Sequence, residues 1–220
     1  ARRIRDARVF SVVLPPGAPA EEIRRWNPAG VILSGGPQSV YEAGSPRPSV
    51  DPTSFGVPVL GLCYGMQWLA QAAGGEVANE GREYGRAVAR LAVDSDLFTG
   101  LEPEQTVWMN HGDSVVAPPA GFRVIASTPT TPLAGFENTE RRVWAIQFHP
   151  EVRHTVHGTE VLQNFLFRIC RVQPDWTMAG FRQEKVAAIR RQAPTGSVIC
   201  ALSGGVDSSV AAALIHRAIG

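Results

Sequence analysis

Pro58-Val59-Leu60-Gly61-Leu62-Cys63-Tyr64-Gly65-Met66-Gln67 runs from an apolar strand pattern, through a cysteine with a glycine two residues away on each side, into the start of a helix. A chain that reverses this sharply leaves no room for larger side chains at Gly61 and Gly65, and it lifts the thiol above the end of a sheet. The helix N-terminus that follows places partial positive charge near the sulfur, which favours thiolate over thiol. A free cysteine has a pKa of about 8.5, so only a few per cent is nucleophilic at neutral pH and Cys63 needs a base. Taken alone, Cys63 also fits a small buried hydrophobe.

Upstream, strand-like apolar runs at 9–14, 31–34 and 57–62 alternate with helix-like stretches at 21–26 and 66–73. That alternation predicts an α/β fold with parallel strands joined by crossover helices. Downstream, from 86 to 147, the pattern changes to short strands at 86–93, 106–109, 122–127, 133–137 and 143–148, separated by turn signals. Antiparallel pairing is expected there, with the clearest hairpin turn at 138–141. Apolar residues at Val161, Leu162, Phe165, Leu166, Ile169 and Cys170 repeat at helical spacing and close the first domain. Gln173-Pro174-Asp175 breaks the pattern, and a helical stretch at 177–192 leads to an apolar strand at 198–202 and a glycine-rich turn. The expected domains are therefore 1–172 and 173–220. Residues 1–8 read as the last turns of a helix and Gly220 closes another abruptly, so the chain reads as a fragment.

Composition narrows the function classes. Apolar residues make up 44% and charged residues 19%, the balance of an ordinary globular protein, and the net charge of +1 supplies no field for nucleic acid. The arginines at 2, 3, 5 and 8 read as a solvated helix face. No apolar run approaches the ~20 residues a membrane span needs, and no signal peptide opens the chain, so a cytoplasmic location is expected. Three dispersed cysteines form neither a disulfide framework nor a zinc site.

The base is sought in Trp144-Ala145-Ile146-Gln147-Phe148-His149-Pro150-Glu151. His149 and Glu151 emerge on the same side of an extended chain, and Pro150 restricts the backbone between them. Glu151 can orient the imidazole and His149 can activate Cys63, although the pair alone also fits a surface strand end. The elbow at 61–67, this segment, and Ser34-Gly35-Gly36-Pro37 together resemble the triad-type glutamine amidotransferases, whose domain is a flavodoxin-like one with a mixed, mainly parallel sheet. The resemblance covers about residues 1–172 and lacks the family's first strand. It implies catalysis by Cys63, His149 and Glu151, and an oxyanion hole from the backbone N–H groups of Gly36 and Tyr64. It further implies glutamine binding by Gln67, Asn110, Gly112 and Asp113. Gly35-Gly36-Pro37 by itself fits a simple turn, and His111 is not needed as a base if His149 serves.

Ile199-Cys200-Ala201-Leu202-Ser203-Gly204-Gly205-Val206-Asp207-Ser208-Ser209 reads as strand, glycine-rich turn and helix start, with backbone N–H groups, three hydroxyls and a helix dipole able to grip an anion. It lacks the lysine of the G-x-x-x-x-G-K-[ST] loop. It resembles instead the pyrophosphate loop of the ATP pyrophosphatases, the first strand-loop-helix of an adenine nucleotide α-hydrolase-like domain. That implies ATP binding by Ser203, Gly204, Gly205, Val206, Asp207, Ser208 and Ser209, with Asp207 helping to hold Mg2+. A glutaminase followed by this loop is the order of the glutamine-hydrolysing GMP synthetase family. The resemblance implies XMP, ATP and glutamine as substrates and a homodimer formed through a region after Gly220. The open alternatives are a regulatory glutamine-binding module without turnover and a synthetase for another adenylated acceptor.

Overall fold

The computed structural model describes residues 1–220, and the chain divides into two compact units, one of residues 12–173 with Ala1 and one of residues 2–11 with 174–220. The helices are α1 (Arg2–Asp6), α2 (Ala20–Arg25), α3 (Tyr64–Ala72), α4 (Gly158–Gln163), α5 (Met178–Gln192) and α6 (Val206–Ile219). The strands are β1 (Val31–Leu33), β2 (Val59–Leu62), β3 (Glu76–Ala78), β4 (Glu83–Leu91), β5 (Glu104–His111), β6 (Ser114–Ala117), β7 (Arg123–Ser127), β8 (Gly135–Asn138) and β9 (Val143–Ile146).

In the first unit a seven-stranded mixed sheet has the order β1-β2-β9-β8-β7-β4-β5. Its parallel part is β1, β2 and β9; from β9 to β5 every neighbour is antiparallel. All four residues of β2 and of β9 are buried, which is why both strands read as unbroken apolar runs. Strands β4 and β5 alternate between covered and solvated positions, the pattern of a sheet with one wet face. One core cluster packs Met66, Leu69 and Ala70 of α3 against Val59, Val143, Ala145 and Phe136 of the sheet. Each large side chain of this kind contributes about 1.5–3 kcal/mol when fully buried. One carboxylate sits in this unit with its side chain 4% exposed: Glu137 on β8, held by the Arg123 guanidinium at 2.5 Å and by the Ser95 hydroxyl at 2.5 Å.

The expected run at 9–14 and the expected strand at 198–202 do not form strands. A strand needs a hydrogen-bonded neighbour, and no segment pairs with either run; Ile199 and Leu202 are left 98% and 62% exposed. The short antiparallel pair β3–β6 has no counterpart among the strands expected from sequence. After α4 the helix widens into a π-helical stretch, Asn164–Ile169, that buries Phe165, Leu166 and Ile169 as the periodicity predicts.

In the second unit, residues 2–11 group with 174–220 rather than with the residues that follow them: the Trp176 N–H donates to the Arg8 carbonyl at 2.9 Å. Helices α5 and α6 pack together, with the Arg190 guanidinium capping the end of α6 at the Ala218 carbonyl, 2.7 Å away. No residue of α5 is buried. No helix in the structure is long and apolar enough to cross a membrane.

Candidate active site

The parallel strands β1, β2 and β9 all point their C-terminal ends at one place, where ligands of open α/β sheets bind. β2 ends beside β9 in register, Leu62 opposite Ile146, and the Cys63 N–H donates to the Ile146 carbonyl at 2.9 Å. Cys63 then takes φ 52° and ψ −108°, a conformation that L-residues rarely adopt, and α3 begins at the next residue. Such backbone strain costs about 1–3 kcal/mol and persists only where the surroundings enforce it. The enforcing glycines are visible: a Cβ on Gly65 would lie 2.3 Å from the Leu33 carbonyl oxygen, and one on Gly61 would lie 2.7 Å from Leu69 and 2.8 Å from the Gly65 backbone.

His149 follows β9 by three residues and is fastened to the edge strand β5, its N–H donating to the Trp108 carbonyl at 3.1 Å. The Thr155 hydroxyl donates to the His149 carbonyl at 2.6 Å and accepts from the Trp108 N–H at 3.0 Å. The ring is mostly buried, and its Nδ1 lies 2.8 Å from Glu151 Oε1, so Nδ1 carries a proton toward the carboxylate. That commits Nε2 to the Cys63 side. The neighbouring Cys63 sulfur, and secondarily the Glu151 hydrogen bond, raises the ring's pKa to about 10 against the opposing effect of burial. Nε2 makes no bond of ordinary hydrogen-bond geometry, so the sulfur lies within interacting range of the ring without a tight contact. Burial would raise the Glu151 carboxyl, but the His149 hydrogen bond, with its other neighbours, outweighs it and the net shift is downward. Gly35 presses on both groups: a Cβ there would be 3.2 Å from His149 Cε1 and 3.5 Å from Cys63 Cβ.

The structure thus brings Cys63 together with His149, 86 positions away, and with its neighbour Glu151. Tyr64 is the first residue of α3, where backbone N–H groups lack intrahelical partners. Gly36 lies over the Tyr64 ring, where a Cβ would meet Cγ at an ordinary contact of 3.5 Å.

A family model described as "Glutamine amidotransferase class-I" matches residues 1–169. The chain belongs to this family. Curated relatives named "GMP synthase [glutamine-hydrolyzing]" match the amidotransferase along its whole length. One from Streptomyces coelicolor is 53% identical over 224 residues, covering 100% of this chain and 42% of its own. Another from Carboxydothermus hydrogenoformans is 50% identical over 223 residues, covering 100% and 43%. The chain therefore spans less than half the length of these relatives. Among solved structures, a candidate GMP synthase component from Thermoplasma acidophilum aligns with a TM-score of 0.67 at 30% identity, over 84% of this chain and 88% of that one. A glutamine amidotransferase from Methylobacillus flagellatus shares the fold, with a TM-score of 0.57 at 24% identity over 69% and 64%.

The remaining expected residues of the amidotransferase lie around Cys63 in different ways. Asp113 is buried, and its Oδ1 accepts from Tyr41 at 2.9 Å and Asn79 at 2.7 Å. Burial would raise its carboxyl, yet hydrogen bonds from Ser39, Asn79 and Tyr41, with Arg82 nearby, hold it below the usual range. Asn110 is exposed, and its carbonyl lies 3.7 Å from the Cys63 sulfur. Gly112 offers its carbonyl to Asn79 at 3.4 Å. Gln67 is buried and donates to the Asp113 carbonyl at 2.8 Å and to Gln147 Oε1 at 3.3 Å, so both its N–H groups are spent within the protein. His111 is buried and its pKa is lowered, chiefly by burial, which keeps the ring neutral; its Nδ1, 3.0 Å from the Asp113 carbonyl, braces the loop.

Two residues of the site carried no expected role: Gln147, fully buried with Nε2 3.5 Å from the Cys63 sulfur, and Tyr41 on Asp113. Gln147 has a signal in sequence, an amide inside an otherwise apolar strand end, where a buried polar group must find partners. The second expected site is local and exposed. Gly204 takes φ 79°, Ser208 and Ser209 donate to the Gly205 carbonyl at 3.0 and 2.9 Å, and Ser203 Oγ lies 3.1 Å from Ser208 Oγ. Asp207 stands in the first turn of α6, whose unpaired N–H groups suit a phosphate. No group of three or more His, Cys, Asp or Glu side chains is gathered to hold a metal. One carboxylate still fits Mg2+, which is commonly bound through one or two carboxylates together with substrate phosphates and water.

Proposed function

We propose that this site hydrolyses the side-chain amide of glutamine, and that the ammonia released serves the synthesis of GMP from XMP and ATP. The observation that carries the reading is Cys63 held at φ 52° on the strand-to-helix turn, facing an imidazole whose other nitrogen is bonded to a carboxylate. In this reading the Cys63 thiolate attacks the amide carbon, and the backbone N–H groups of Gly36 and Tyr64 receive the developing oxyanion. His149 is protonated at neutral pH because Cys63 and Glu151 hold its pKa near 10, so it gives its proton to the leaving ammonia. The neutral ring then takes a proton from water as that water attacks the thioester, and glutamate leaves. Glu151 keeps the ring oriented throughout. Asp113, Asn110 and Gly112 bind the α-amino and carboxylate end of glutamine, and Gln67 contributes Oε1, its N–H groups being engaged elsewhere.

The loop from Ser203 to Ser209 binds the phosphates of ATP in the same proposal; Asp207 would hold Mg2+, which would supply positive charge to offset the negative charge of the phosphates. ATP transfers its AMP group to the XMP oxygen with release of pyrophosphate, and ammonia then displaces AMP to give GMP. The names of the curated relatives support GMP as product and glutamine as the hydrolysed substrate; XMP as acceptor, a cytoplasmic location and a homodimer belong to the same proposal. The test uses the complete protein. Cys63→Ala abolishes GMP formation from glutamine and leaves formation from ammonium intact; loss of both activities refutes separate glutaminase and synthetase sites.

A further inference from the structure

Gln147 has no role in the triad, yet it is fully buried and touches the nucleophile. Its amide orientation follows from a chain of contacts that begins at an unambiguous acceptor. The Asp113 backbone carbonyl can only accept, so the Gln67 atom 2.8 Å from it is the nitrogen. The second N–H of that nitrogen meets Gln147 at 3.3 Å, so the Gln147 atom there is the oxygen. The Gln147 nitrogen is thereby turned to the Cys63 sulfur, 3.5 Å away. On another side the sulfur faces the Asn110 carbonyl at 3.7 Å. As a thiol it can donate to Asn110; as a thiolate it can only accept, and among side-chain amides Gln147 is the one that donates to it. A hydrogen bond donated to the charged form favours that form.

We propose that Gln147 is a positioning residue for Cys63: its amide, oriented by Gln67, presents an N–H to the sulfur and ties the ionisation of the nucleophile to the loop at Asp113. The proposal rests on the reading of Cys63 as nucleophile. It gives the Asp113 loop a path to the sulfur that does not pass through His149. A loop displaced from Gln67 frees the Gln67 amide, and Gln147 can then turn its oxygen to the sulfur, which disfavours thiolate. Residues 67, 113 and 147 come from three separate segments, the helix α3, the loop after β5 and the end of β9, so the relay exists only in the folded unit.

The test is the pH dependence of Cys63 alkylation by iodoacetamide in the intact chain, resolved by peptide mass spectrometry. Exposed Cys200 serves as the internal reference. Gln147→Met keeps volume and removes the N–H; it raises the alkylation midpoint of Cys63 by about one pH unit, without moving Cys200. Gln67→Met leaves Gln147 in place but unanchored and shifts the midpoint in the same direction by less. Gln147→Glu, which sets an acceptor against the sulfur, raises it more than Gln147→Met; a purely steric role predicts equal shifts. A midpoint unchanged in Gln147→Met overturns the proposal, and if that variant does not fold, an unchanged midpoint in Gln67→Met does so. A parallel His149→Ala arm separates the two readings: a midpoint that moves with His149 but not with Gln147 removes the relay alone, whereas one that ignores His149 removes the proposed base.

Discussion

Gly65→Ala is the substitution whose effect can be worked most directly from the geometry. In α3 an alanine is favoured over glycine by up to about 1 kcal/mol, so local propensity predicts stabilisation. The structure predicts the reverse. The added Cβ would lie 2.3 Å from the Leu33 carbonyl oxygen, 2.7 Å from its Cβ and 2.8 Å from its carbonyl carbon. Ordinary contact starts near 3.4 Å, and the obstacle is the backbone of β1, which has no side-chain torsion with which to move aside. Either β1 or α3 must shift by about 1 Å, and overpacking of this kind costs about 1–3 kcal/mol, with backbone obstacles at the upper end. After the propensity gain is subtracted, a net loss of about 2 kcal/mol remains, or about 4–8 °C in Tm for a domain of this size. The shift also separates Gly36 from Tyr64, and a misplacement near 1 Å costs about a hundredfold in rate. Thermal melting followed by tryptophan fluorescence, together with glutamate release, measures both. Gly36→Ala is the control, since its Cβ meets Tyr64 at 3.5 Å and leaves stability unchanged. A Gly65→Ala protein that melts at or above the parent temperature refutes the account of the elbow as a steric fit.

Cys63→Gly should be more stable than Cys63→Ala by about 1 kcal/mol in urea denaturation, because glycine relieves the strain at φ 52° at a smaller entropic cost. His149 has a folded pKa above its ordinary value, so its contribution to stability is complete below about 6.5 and is lost as pH rises toward about 10. Wild-type Tm measured against His149→Gln should accordingly converge across that window, and a constant difference from pH 6 to 10 would contradict it. Arg123→Met strips the buried Glu137 of its cation; because the guanidinium is partly exposed the loss is about 2 kcal/mol, and the added change Glu137→Gln restores part of it in a double-mutant cycle.

Strands β2, β4, β5 and β9 are legible from their own composition. The unbroken apolar runs of β2 and β9 announce strands covered on both faces, and the alternation in β4 and β5 announces a sheet with one wet face. The runs at 9–14 and 198–202 have the same local appearance, and neither is paired. Propensity describes what a segment can do; pairing depends on a neighbour that the segment does not encode. The pair β3–β6 escapes a reading of the sequence for the opposite reason, since strands of three and four residues carry too little periodicity to recognise.

The same distinction divides the site. The elbow is readable because its requirement is local: glycines on both sides of a cysteine between a strand and a helix leave few other conformations. His149 and Glu151 are readable because two positions of extended chain put both side chains on one side. The place of Gln147 is not readable, since the direction of its amide is set by Gln67 and ultimately by a backbone carbonyl at Asp113, 34 positions before it. A residue of this kind is recognised in sequence only as an unexplained polar group within an apolar segment. The physical requirement that a buried amide satisfy both its ends then turns that anomaly into a search for partners. Here the search ends at the sulfur, and the consequence is specific: the ionisation of Cys63 should respond to changes at Gln67, whose side chain is hydrogen-bonded to Gln147 and Asp113 rather than to Cys63.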